Sequence, residues 1–128
     1  MTSHKNLPQA LFHSLRANFF SDVVSDYGPS KPIVMKGWIL LVLGLLLSRK
    51  IRNYKCARIG LALPPGVAGI LGNLAVLFAG KIPVNLNLTV SKQSMESTLH
   101  EAGVDFMLSA ERVRTVSYTH LRAHETEL

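Results

Sequence analysis

Arg58-Ile59-Gly60-Leu61-Ala62-Leu63-Pro64-Pro65-Gly66 and Lys81-Ile82-Pro83-Val84-Asn85-Leu86-Asn87 are the two stretches whose reading decides the fold. The first is an apolar run of strand length broken by two prolines and a glycine. The second is another strand-length run, ending in asparagines. Between them Val67 to Gly80 is apolar and long enough for a helix. Ser91 to Ala102 then carries a helical stretch, with Ser91 as its cap and Gly103 as its stop. Val104-Asp105-Phe106-Met107-Leu108 supplies a third strand. Strands alternating with helices at these lengths predict an α/β fold, a parallel sheet with right-handed crossover helices.

Upstream, Trp38 to Leu47 is nearly unbroken Leu, Ile and Val, followed by Ser48-Arg49-Lys50-Ile51-Arg52. This reads as a helix to about Tyr54, buried early and solvated late. Pro32 to Met35, closed by Lys36-Gly37, reads as an edge strand with its proline at the start. Leu7, Leu11, Leu15, Phe19 and Val23 recur at spacing four, flanked by Phe12 and Phe20. With Asn6 as cap, Pro8 in the first turn and Tyr27-Gly28-Pro29 as the stop, they predict one amphipathic helix from about Pro8 to Ser25. Its phenylalanine stripe reads as a core face rather than a partner-binding one.

Ile59 to Gly80 contains no charge, and Ala68/Gly72 and Ala75/Ala79 are small-residue pairs of the kind that pack membrane helices. Pro64-Pro65 argues against a span, because mid-helix prolines cost about 3 kcal/mol each in lost hydrogen bonding. What remains beyond them is short for a bilayer and carries Asn73 in its middle.

The chain has 128 residues, 48% apolar and 17% charged, which excludes a disordered tail or a collagen-like repeat. One cysteine, Cys56, excludes an intrachain disulfide and fits a reducing compartment. Met1 to Leu7 lacks the apolar core of a signal peptide, so the expected location is cytoplasmic, with membrane association as an addition. The net charge of +6 is unevenly spread. No acidic residue occurs from Tyr27 to Met95, whereas Lys31, Lys36, Arg49, Lys50, Arg52, Lys55, Arg58, Lys81 and Lys92 all fall there. That field suits anions, whether phosphate, acidic lipid or nucleic acid.

Gly66, Gly69 and Gly72 lie where a dinucleotide fold places its glycines, but their order is G-x-x-G-x-x-G. No acidic residue follows before Glu96, too late for a ribose contact, so close packing of helix on sheet explains them better. No G-x-x-x-x-G-K-[ST] loop occurs. Asn87-Leu88-Thr89 matches a glycosylation pattern by coincidence, in a chain without a secretion signal. Cys56 lies among Arg52, Lys55 and Arg58 without a nearby histidine, and reads as structural. The Arg49–Arg58 cations read as a solvated helix end more than as a phosphate site. His120 and His124 would share a helix face and offer two zinc ligands. However, Val116-Ser117-Tyr118-Thr119-His120-Leu121-Arg122-Ala123-His124-Glu125-Thr126 resembles the conceptual translation of a transposase-type sequencing adapter. Residues 116–128 are therefore expected to be an appended tail that packs against nothing, and the metal reading falls with them.

The Arg58–Gly66 stretch, Asn73-Leu74-Ala75-Val76-Leu77-Phe78-Ala79-Gly80 and the Lys81–Asn87 stretch together resemble the amino-terminal part of the AMP-forming acyl-adenylate ligases, the acyl-CoA synthetase superfamily. In that family a strand ending in Leu-Pro leads to an apolar helix, then Ala-Gly, then a strand ending in Pro-x-Asn. The Lys81–Asn87 wording is closest to the branch of acyl-acyl-carrier-protein synthetases and 2-acylglycerophosphoethanolamine acyltransferases. The resemblance spans residues 7–114, strong from Arg58 to Asn87 and weak before Lys36. Trp38 to Leu47 departs from it, because many relatives are more polar there.

The resemblance implies an incomplete N-terminal subdomain of an AMP-binding ligase, with residues 116–128 as the adapter-like tail. It further implies that the parent joins a fatty acid to CoA or acyl carrier protein, using ATP and magnesium through an acyl-adenylate. The Ser/Thr/Gly-rich phosphate loop and its lysine do not occur in this chain, so no residue is assigned a catalytic, cofactor-binding or metal role. The fragment is expected to be inactive. The alternative is a small membrane-associated basic binding protein. A nucleic-acid module ranks third, because only Trp38 and Tyr54 interleave with the basic residues.

Overall fold

The computed structural model describes residues 6–28 and 31–109 in full, and the backbone of 114–117 and 124–127. The chain runs α1 (Leu7–Ala17), β1 (Asp22–Asp26), β2 (Ile33–Lys36), α2 (Gly37–Arg52), β3 (Arg58–Ala62), α3 (Val67–Phe78), β4 (Ile82–Asn85), α4 (Lys92–Glu101), β5 (Phe106–Ser109), β6 (Arg114–Ser117) and β7 (His124–Glu127). β3 is the central parallel strand. It pairs with β4 from Arg58 opposite Ile82 to Leu61 opposite Asn85. On its other side it pairs with β5 from Ile59 opposite Phe106 to Ala62 opposite Ser109. The expected parallel α/β sheet is present.

The order β4-β3-β5 fixes where the helices go. The chain leaves β3 in one direction through α3 and returns across it through α4, so right-handed crossovers place the two helices on opposite faces. Each face has its own core. Ile59, Leu61 and Leu108 pack with Ile51, Ala75 and Val76 on the α2/α3 side. Ala62 and Met107 pack with Leu86, Leu99 and Val104 on the α4 side. A strand covered on both faces has no polar side to show, which is why β3 reads as an unbroken apolar run. Ile51, Ile59 and Leu61 are almost completely buried, each contributing about 1.5–3 kcal/mol. Gly60 faces α4 because a Cβ there would come 2.9 Å from Leu99.

α2 and α3 pack side by side, with α1 across them through Leu15, Leu40, Leu41 and Leu74. Ser48, buried in α2, donates its hydroxyl to the Leu45 carbonyl at 2.7 Å and leaves no unsatisfied donor there.

Three expectations are corrected. The first helix ends at Ala17 rather than Ser25, although the spacing-four pattern continues to Val23. Asn18 folds its side-chain amide back onto the Ser14 carbonyl. The Phe19 and Ser21 carbonyls then accept from the Trp38 and Gly37 amides at 3.0 and 3.1 Å. Those bonds stand in for a side-chain cap that Lys36 does not provide, and they hold residues 18–21 outside the helix. Asp22–Asp26 becomes a strand paired antiparallel with β2, the edge strand that was expected.

Second, α2 is buried by face rather than by length: Ile51 near its end is buried, while Trp38 and Val42 in its first half are exposed. Third, part of the tail is paired. β6 joins β5 antiparallel and β7 joins β6, so the sheet is β4-β3-β5-β6-β7. The open edge of β5 presents backbone N–H and C=O groups to any extended segment, and such pairing needs no side chains selected to fit.

Candidate functional site

The carboxyl ends of β3 and β4 open onto a cavity of about 550 Å³. This is where open α/β sheets place their ligands. Leu11, Leu63, Ile70, Leu74 and Leu77 make its apolar wall, and Pro64-Pro65-Gly66 forms the lip. Two amides supply the polar part. Asn73 of α3 and Asn85 at the end of β4 exchange reciprocal side-chain hydrogen bonds, both 3.0 Å, and Asn73 also donates to the Gly69 carbonyl at 2.8 Å. Asn73 thus sits mid-helix because its amide bridges to the neighbouring strand. Two positions on, the Asn87 carboxamide oxygen accepts from the backbone N–H and the hydroxyl of Thr89, closing the turn before α4. The Asn-Leu-Thr triplet is therefore a turn device.

The amino end of α3 is the natural anion position of this fold. It is taken by the protein's own carboxylate: Asp26, from the end of β1, accepts from the Val67 amide at 3.1 Å. Gly66 adopts φ +121° there, and a Cβ on it would run into Asp26. A phosphate brought to the same amides would meet a like charge, so the described residues do not fit the ATP phosphates at this helix. The G-x-x-G-x-x-G spacing is a packing stripe, as expected. A Cβ on Gly72 would collide with Leu63, and one on Gly69 would stand 3.1 Å from the Pro64 carbonyl oxygen.

The basic stretch is partly absorbed by backbone carbonyls. Arg52 donates to the Phe78 carbonyl at the end of α3, 3.2 Å, and Arg58 donates to the Ala102 carbonyl at the end of α4, 2.9 Å. Cations at helix carboxyl ends complement the helix dipole. Lys81 donates to the carbonyls of Tyr54 and Cys56 at 2.6 and 2.5 Å, holding the α2–β3 connection against β4. Three of the nine cations expected to form an anion-attracting field are thereby structural.

Cys56 is half-buried, and burial raises its thiol above the ordinary value, against the lowering effect of Lys81 and with a smaller raising effect of Asp105. This is the reverse of what a reactive thiol needs. Among the described residues no group of three or more His, Cys, Asp or Glu is placed to hold a metal ion. His124 opens a strand rather than a helix, and His120 lies outside the described residues. Asp26 and Asn73 were missed as site-shaping residues. Asn73 carried a signal, as the one polar residue in an apolar helix; Asp26 carried none, because its partner is far along the chain.

No family model matches the sequence, and no curated protein matches it. The solved N-terminal subdomain of NpsA from Klebsiella oxytoca shares the fold, with a TM-score of 0.70 over 84% of this chain at 15% identity. The chain spans 28% of the length of that neighbour. At that identity the likeness establishes the architecture: three parallel strands with crossover helices, arranged as in the N-terminal subdomain of a larger protein. Among the described residues no helix is long and apolar enough to cross a membrane.

Proposed function

We propose that the chain is the N-terminal part of an AMP-forming acid ligase, and that the complete protein activates a fatty acid for transfer to CoA or acyl carrier protein. The observation that carries this reading is a coincidence of sequence with position. The Leu63-Pro64 ending and the Pro83-Val84-Asn85 ending, which suggested the family, fall at the carboxyl ends of two adjacent parallel strands, and Leu63, Pro64 and Asn85 line one cavity. The likeness to another protein's N-terminal subdomain supports the same assignment at the level of fold. ATP and magnesium belong to this proposal for the complete protein; Asp26 already accepts from the Val67 amide at the start of α3, so the phosphates would be held elsewhere. The adapter-like wording of residues 116–128 is kept as part of the same reading, with the native frame diverging near residue 115.

The test is the source DNA beyond codon 115. The frame is expected to continue into a Ser/Thr/Gly-rich loop carrying a lysine. A native stop codon close behind Arg114, or a continuation without such a loop, contradicts the assignment.

A further inference from the structure

Among the described residues α2 turns one side to the cores and leaves the other partly exposed. Trp38, Val42, Leu43, Leu45 and Leu46 are each between 37% and 54% exposed, whereas the buried positions of the helix include Leu40, Leu41, Gly44 and Ile51. Trp38, Val42, Leu45 and Arg49 follow one another at i, i+4, i+7 and i+11, so the apolar strip runs along one side and ends in a cation. Arg49 and Lys50 are both exposed at that end. At the other end the Phe19 ring lies 6.4 Å from the indole of Trp38, Phe20 beside it is 78% exposed, and Lys36 is exposed at the helix start. Contiguous aliphatic side chains in this number mark an interaction surface on a small protein.

We propose that this face docks on the surface of an anionic lipid bilayer. The strip would sit at the boundary of headgroups and acyl chains, with Trp38 and Phe20 at its edge and Lys36, Arg49 and Lys50 on the lipid phosphates. Charge complementarity selects this occupant. Arg49 and Lys50 border the apolar strip at one end and Lys36 at the other, where the exposed Asp22 stands opposite Lys36 across the β1–β2 pair; from Tyr27 to Met95 the sequence contains no carboxylate. The helix is too short to span and is fixed to the protein along its other side, so the contact is peripheral. The inference stands apart from the ligase reading.

Trp38 is the only tryptophan and lies inside the proposed contact, so its emission reports the contact in the unaltered chain. With vesicles of equal parts phosphatidylglycerol and phosphatidylcholine, the emission should move to shorter wavelength and the protein should sediment with the vesicles. Both effects should fade as salt rises. Arg49→Ser and Lys50→Ser should each weaken partitioning about fivefold, the effect of one cation at an anionic surface. Val42→Ser with Leu46→Ser should weaken it about tenfold or more, with far-ultraviolet dichroism unchanged because both side chains are exposed. If that pair fails to fold, quenching of Trp38 by brominated lipid in the unaltered chain decides the matter. The proposal is overturned by an unmoved Trp38 emission with anionic vesicles at low salt, or by an equal response to pure phosphatidylcholine. A protein-concentration-dependent shift with dimer mass and no lipid also overturns it, since a second copy then covers the face.

Discussion

Asp26→Ala removes a carboxylate from the amino end of a helix 41 residues further along the chain. The lost hydrogen bond to the Val67 amide is a capping bond, worth about 1 kcal/mol. The lost charge at the helix end adds about 0.5 kcal/mol, a low figure because Asp26 is only half-buried. Alanine at a strand end returns a few tenths. The net expectation is a loss of about 1–1.5 kcal/mol. Read by urea unfolding with a slope of about 1.5 kcal/mol/M, that lowers the midpoint by roughly 0.7–1 M. Asp26→Asn keeps an acceptor oxygen and should lose only the charge contribution, about 0.3 M in midpoint, shrinking further in high salt. Gly66→Ala should lose less in the Asp26→Ala background than in the native one, because the Cβ would otherwise run into that carboxylate. Equal losses for Asp26→Ala and Asp26→Asn, or an Asp26→Ala midpoint matching the native one, would refute the assigned role of the carboxylate.

Gly37→Ala should destabilise by about 1–3 kcal/mol in the same assay, because its Cβ would press on the backbone carbonyls of Asn18 and Leu15, which cannot rotate away. A neutral or stabilising result would mean that α1 and α2 do not meet there. Lys81→Met should lose about 1.5–3 kcal/mol, since it strips a charged donor from the Tyr54 and Cys56 carbonyls while keeping most of the side-chain bulk; a loss below 0.5 kcal/mol, the range of unconnected surface changes, would show those bonds to be incidental. Cys56 should react with iodoacetamide more slowly than free glutathione at pH 8, and catch up as pH rises. Because burial raises its folded pKa above the unfolded one, its contribution to stability is complete below the unfolded value and is lost above it. Faster alkylation than glutathione at pH 8 would contradict the assigned environment.

The central sheet was legible because β3 is covered on both faces and so carries a continuous apolar run, and because Pro64-Pro65-Gly66 and Gly103 punctuate the chain where the structure turns. The first helix was overextended because Phe19 and Val23 keep the helical spacing; what stops it is a tertiary contact with the first amides of α2, invisible in periodicity. Asp26 was illegible for the same reason, its partner lying 41 residues away. The glycine stripe could be read correctly as packing because the dinucleotide spacing was wrong and no acidic residue followed before Glu96. The pairing of β6 with β5 depends on backbone groups at an open edge, which no side-chain pattern announces.

ATP–pyrophosphate exchange tests the central claim most directly, run side by side on the 128-residue chain and on the product of the uninterrupted native frame. The account predicts fatty-acid-dependent exchange from the complete product. From the 128-residue chain none is expected, because no phosphate loop with its lysine is encoded in it. Exchange by the chain alone, in a preparation free of host ligase, or its absence from the complete product with every fatty acid offered, would contradict it.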